Sequence, residues 1–131
     1  MPPLMKPAAW LFSFTLALSA YGAQALEIVP YQPERFAAAR AAGMVTAVQF
    51  HSGWCPICVM QSRSLESLKN DRELERVIVF QADFAKEEAL RRRLAVHAFS
   101  TLVIFRGEEE RARTIGDFQP EKLKALFAKA Q

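Results

Sequence analysis

Val45-Thr46-Ala47-Val48-Gln49-Phe50-His51-Ser52-Gly53-Trp54-Cys55-Pro56-Ile57-Cys58 joins an apolar run to a helical one through a turn that carries two cysteines. Its first six residues are apolar or β-branched except for Gln49, the pattern of a strand buried on both faces. His51-Ser52-Gly53 then turns the chain, and a helical run follows to about Asn70. Pro56 suits the first helical position, where its missing N–H is not needed. The two cysteines thus lie at the junction where a strand feeds directly into a helix.

Working outward, Glu27-Ile28-Val29 is a short strand candidate, and Pro33 to Ala42 reads as a helix ended by Gly43. Beyond the cysteines, Val77 to Ala82 is a second buried strand. Phe84 to Ala95 reads as a helix with Glu87 and Glu88 early and Arg91, Arg92 and Arg93 late, as the helix dipole favours. Thr101 to Phe105 is a third buried strand. Arg106-Gly107-Glu108 turns it into the strand Arg111 to Ile115, forming an antiparallel hairpin. Pro120 opens a last helix, where Leu123, Leu126, Phe127 and Ala130 recur at helical spacing. The order β-α-β-α-β-α-β-β-α predicts a three-layer α/β/α sandwich around a mixed central sheet.

Composition bounds the function. With 131 residues, 51% apolar and 24% charged, the chain fits one domain and excludes a disordered tail. Residues 1–26 hold one basic residue, Lys6, and no acidic one, whereas the remainder carries all 14 carboxylates and 16 of the 17 Lys and Arg. The small basic excess comes without a basic block interleaved with aromatics, so nucleic acid is not an expected partner. At the front, MPPLMKP is a short positive region and AAWLFSFTLALSA an apolar one. Ala23-Gln24-Ala25 then offers the small-x-small pattern of signal-peptidase cleavage. The expectation is a cleaved signal peptide over 1–25 and a mature domain over 26–131, exported to the periplasm or its equivalent. An uncleaved membrane anchor over Ala8–Leu26 is the alternative.

Both cysteines of the chain lie in Cys55-Pro56-Ile57-Cys58. As a staple, a disulfide closing so short a loop contributes only about 2 kcal/mol by loop entropy, which makes structural duty a poor explanation. A structural zinc site wants four ligands, and His51 and His97 stand at no zinc-finger spacing from the pair, so no metal is expected within one chain. Redox chemistry explains more. At a helix N-terminus, unpaired N–H groups and the dipole favour the thiolate of Cys55. Cys58, one turn further in and more shielded, is placed to attack a mixed disulfide on Cys55. An activated thiolate beside a resolving thiol is what disulfide exchange requires.

The stretch Val48 to Cys58 resembles the active-site segment of the thioredoxin superfamily. The agreement continues through Val77–Asp83, Val96–Phe105 and Ile115-Gly116, and covers essentially all of residues 27–131. The resemblance implies a thioredoxin-like fold, Cys55 as nucleophile and Cys58 as resolving thiol, with no bound cofactor beyond the redox-active disulfide itself. It also implies that Trp54, Phe99, Ser100, Ile115 and Gly116 ring the sulfurs and bind an extended segment of a protein partner.

Three departures stand out. Pro-Ile replaces the Gly-Pro of thioredoxins between the cysteines. The family's buried carboxylate, six positions before the first cysteine, is here Gln49, which cannot accept the Cys58 proton; slow resolution is therefore expected. The family's cis-proline corresponds to Ser100 in Phe99-Ser100-Thr101. A cis bond before serine costs about 3–4 kcal/mol, so a trans bond is expected.

The reading is an exported thiol–disulfide oxidoreductase acting on protein thiols and disulfides, with a membrane electron donor or acceptor as a possible second partner. Two rivals stand beside it. One is a metal or iron–sulfur protein in which two chains share two cysteine pairs, made less remote because the family's cis-proline is thought to keep metals from the pair. The other is a binding module whose exchange chemistry has decayed.

Overall fold

The computed structural model describes residues 2–4, 25–74 and 76–131. The signal-peptide reading therefore lies almost wholly outside the described residues. Among the described residues, no helix is long and apolar enough to cross a membrane.

Nine elements follow one another: β1 (Leu26–Pro30), α1 (Pro33–Ala41), β2 (Val45–His51), α2 (Pro56–Ser67), β3 (Val77–Asp83), α3 (Glu88–Leu94), β4 (Thr101–Arg106), β5 (Glu109–Ile115) and α4 (Pro120–Ala128). They build the sheet order β1-β3-β2-β4-β5. β1 and β2 flank β3 in parallel, β4 runs antiparallel to β2, and β5 closes the hairpin.

Side chains alternate along each central strand and feed two cores. Val45 and Ala47 of β2, with Leu102 and Ile104 of β4, pack against Leu65 and Leu68 and against Leu123 and Phe127 of α4. Val48 and Phe50, with Val103 and Phe105, pack on the opposite face against Phe36 and Ala39 of α1 and Leu90 of α3. Helices thus cover both faces, which is why the inner strands read as unbroken apolar runs. The three-layer sandwich expected from the sequence is what forms. The same parity sends Gln49 toward α2, into the core on the side of the cysteines.

Several boundaries differ from the sequence reading, and the shifts of α3 and β5 have a local reason. α3 begins at Glu88 and not at Phe84, because Asp83 Oδ1 accepts the N–H groups of Ala85 (2.9 Å) and Lys86 (3.0 Å) and holds the chain in a turn. α2 ends at Ser67, three residues early. β5 begins at Glu109, two residues early, since Gly107 at φ +56° lets the hairpin turn tightly enough for Arg106 to pair with Glu109. The three consecutive arginines also part company. Arg92 pairs with Glu88 (2.5 Å), Arg93 reaches the Tyr31 hydroxyl (3.5 Å), and Arg91 lies over the Phe84 ring at 4.1 Å.

Several surface carboxylates are held below their ordinary range: Asp71 by a hydrogen bond from Lys124, Asp83 by the Lys86 N–H, Glu88 by Arg92, and Asp117 by the Thr114 hydroxyl and Lys122. A depressed carboxylate contributes stability that is present above its unfolded pKa and lost as pH falls through the folded value. Thermal melts across pH should therefore be flat from neutrality to about pH 5 and fall below about pH 4, where ordinary carboxylates protonate. A midpoint that rose on acidification would contradict this assignment.

Candidate active site

The strand-to-helix junction sets the geometry. β2 ends at His51, Cys55 N–H donates back to Ser52 O (3.2 Å), and Cys55 becomes the N-cap of α2 in extended conformation. Its sulfur accepts the N–H of Cys58 at 3.2 Å, doing the work that a serine or aspartate oxygen does at an ordinary N-cap. Pro56 occupies the first turn, as expected. The two cysteines are paired as a disulfide, their Cα atoms 5.2 Å apart. Cys55 is 7% exposed and Cys58 2%, so the order of exposure is the expected one, but Cys55 is far less open than its position suggests.

Ser100 contributes to that cover. It is 2% exposed, and its hydroxyl lies 3.4 Å from Cys55 Sγ and 3.0 Å from Cys58 Sγ. Disulfide sulfurs carry no hydrogen, so the hydroxyl is the donor, with its one hydrogen, to whichever sulfur it faces. There are no cis peptide bonds among the described residues, as expected for serine in this position, yet Ser100 adopts φ +59°, the left-handed region. That conformation costs a non-glycine residue roughly 1–2 kcal/mol. Three hydrogen bonds hold it there: Ser100 N–H to Phe50 O (2.9 Å), and its carbonyl to Gly116 N–H (3.0 Å) and Gln61 Nε2 (3.1 Å).

Around the sulfurs the surface is apolar. Trp54 is 72% exposed and stands edge-on to Phe99, with ring centroids 4.8 Å apart. Phe99 in turn packs on Phe84 at 4.3 Å, and the Arg91 guanidinium caps the row. The Gly116 bond to Ser100 brings the Ile115-Gly116 turn to the same rim, where Ile115 is 62% exposed. On the other side of the helix start, Cys58 opens into a cleft of about 250 Å³ that it shares with His51, Ser62, Arg63 and Glu66. His97 lies in an exposed loop.

Gln49 is fully buried and saturated. Its Nε2 donates to Gln61 Oε1 and to Ser62 Oγ, both at 3.1 Å, and its Oε1 accepts from Gln81 Nε2 at 3.0 Å. Gln61 completes the chain, its Nε2 donating to the carbonyls of Ser100 (3.1 Å) and Asp117 (2.9 Å). Sequence reasoning missed Gln61. The signal was available: Cys58, Gln61, Leu65 and Leu68 form one helical stripe, and a glutamine on a buried stripe needs partners. Among the described residues, no three or more His, Cys, Asp or Glu side chains gather where they could hold a metal ion.

Comparison with known proteins agrees with this geometry. A thioredoxin family profile matches residues 27–129. The chain is 30% identical over 98 residues to a thioredoxin of Chlamydia trachomatis, covering 75% of this chain and 93% of that protein. It is 32% identical over 90 residues to the mitochondrial thioredoxin-2 of Schizosaccharomyces pombe, covering 69% of this chain and 65% of that one. Among solved structures, Trxlp of Edwardsiella tarda superposes with a TM-score of 0.73 at 30% identity, over 77% of this chain and 98% of its own. The oxidised form of thioredoxin O2 of Arabidopsis thaliana shares the fold, with a TM-score of 0.64 at 21% identity over 81% of this chain and 94% of that one. A profile match over residues 27–129, joined to relatives of this similarity, establishes that the chain belongs to the thioredoxin family.

Proposed function

We propose that this thioredoxin-family thiol–disulfide oxidoreductase acts on protein partners outside the cytoplasm, with Cys55 as the nucleophile and Cys58 as the resolving thiol. The observation that carries the reading is the Cys55–Cys58 disulfide at the N-terminus of α2, with the more exposed cysteine at the N-cap and the Cys58 N–H aimed at its sulfur. A thiolate at that cap gains the helix-terminal field and a hydrogen bond, and Cys58 stands one turn away to displace a partner. The rim of Trp54, Phe99, Ser100, Ile115 and Gly116 offers an apolar landing surface, with Ser100 well within reach of both sulfurs. The charge-poor, Ala-rich front segment, ending in Ala23-Gln24-Ala25, supports export. In an oxidising compartment a reducing role needs an electron supply, for which a membrane donor is the fitting partner class.

Limited alkylation of the reduced protein at neutral pH, read by mass spectrometry, should label Cys55 first. Preferential labelling of Cys58 would reverse the two roles. The redox reading itself is tested by equilibrating the protein with dithiol–disulfide buffers of graded poise and trapping the thiols. The pair should titrate as one two-electron couple within the range of thioredoxin-like proteins, roughly −270 to −120 mV. A pair that stayed closed across that whole range would be a structural staple.

A further inference from the structure

We propose that the Ser100 hydroxyl is a third catalytic group, a single donor that follows the negative charge from Cys55 to Cys58 during exchange. The proposal rests on the exchange reading above and goes beyond it, because the family's residue at this position is a proline, which has no side-chain donor.

The geometry is specific. Ser100 Oγ stands 3.4 Å from one sulfur and 3.0 Å from the other, so rotation of its O–H alone redirects the bond. The residue is not free to drift: its φ of +59° is held by the bonds to Phe50, Gly116 and Gln61. Gln49, where the family carries a base, spends both its donors and its carbonyl on Gln61, Ser62 and Gln81. Cys58 lines a cleft, whose titratable and charged walls are His51, Arg63 and Glu66, and through which its proton can leave.

The reduced pair holds a Cys55 thiolate, bonded by Cys58 N–H and Ser100 O–H, beside a Cys58 thiol. Cys55 attacks a partner disulfide: the partner's S–S bond breaks, a Cys55–partner bond forms, and the first partner sulfur leaves as a thiolate that takes a proton from water. Cys55 is now neutral, and the Ser100 hydroxyl turns to Cys58. Cys58 gives its proton to water in the cleft, and its thiolate attacks Cys55 Sγ. The Cys55–partner bond breaks, the Cys55–Cys58 bond forms, and the second partner sulfur leaves and is protonated. The pair loses two electrons and the partner gains them.

Two variants separate the hydroxyl from the backbone. Ser100→Ala keeps the left-handed strain and removes the donor; Ser100→Gly removes both. In each, the thiolate absorbance of the reduced protein should titrate at higher pH than in the native chain. Release of glutathione from a preformed Cys55–glutathione disulfide should slow about tenfold at pH 7, the lower end of what a hydrogen bond to a charged group is worth. Native behaviour of both variants in both readouts would overturn the proposal, as would an effect confined to Ser100→Ala. The titration needs no partner, so it decides the role of Ser100 even if the native protein fails to reduce protein disulfides, a failure that would instead sink the exchange reading.

Discussion

Gln49→Glu is expected to lower the stability of the fold by about 2–4 kcal/mol at neutral pH, the range for burying an ill-matched polar or charged group. Gln49 is fully buried, and its Nε2 faces two acceptors, Gln61 Oε1 and Ser62 Oγ. A carboxylate there would set oxygen against oxygen. Gln61 cannot simply turn its amide around, because its Nε2 is spent on the carbonyls of Ser100 and Asp117. The introduced acid would therefore survive best protonated, donating its one hydrogen to Gln61. Its folded-state pKa would lie above the unfolded value of about 4.3. For a raised pKa, stability is fully present below the unfolded value and is lost as pH rises through the folded one. The gap in Tm between variant and native chain should thus widen from about pH 5 to pH 8, and thermal melts at a few pH values check this. A gap that narrowed with rising pH would mean that the carboxylate has found a cation. Sequence alone suggests that Cys58 lacks a base and that a carboxylate at 49 would speed turnover. With Ser100 beside Cys58 and an open cleft for the proton, the gain should be small. A large gain at pH 7 would show that resolution in the native chain waits on a base.

Removing either cysteine is expected to abolish turnover, and the two losses should differ in kind. Cys58→Ala leaves Cys55 at its cap, with the backbone N–H of residue 58 still aimed at the sulfur. The first half of the exchange survives and the second does not. The variant should accumulate a stoichiometric mixed disulfide on Cys55 and release no product, whereas Cys55→Ala should neither trap a partner nor turn over. Intact mass spectrometry after mixing with an oxidised protein substrate reads both outcomes. Continued turnover by Cys58→Ala would remove it from the resolving role. Neither variant should unfold, since the four-residue loop contributes only about 2 kcal/mol by chain entropy.

Much of this architecture is written locally in the chain. The strands Val45–His51, Val77–Asp83 and Thr101–Arg106 are legible as apolar runs because helices cover both faces of the sheet, and the Cys-Pro-Ile-Cys junction is legible because Pro56 and the helix terminus obey the same end rules in any protein. What escapes a linear reading depends on contacts across the fold. Asp83 delays α3 by accepting two N–H groups, a turn that looks like helix when only the charge pattern of Glu87 to Arg93 is weighed. The left-handed Ser100 is fixed by Phe50, Gly116 and Gln61, residues 50, 16 and 39 positions away in sequence, so no local propensity announces it. The burial of Cys55 has the same origin: the hydroxyl that lies against it belongs to the loop before β4.

Exchange through the cysteine pair is read out by the reduction of insulin disulfides by the reduced protein, with the state of Cys55 and Cys58 followed in the same samples. Insulin chains should separate as the Cys55–Cys58 disulfide forms, one pair oxidised for each insulin disulfide opened, and Cys55→Ala should do neither. An intact insulin beside a pair that stays reduced, with the fold preserved, would contradict exchange through the pair.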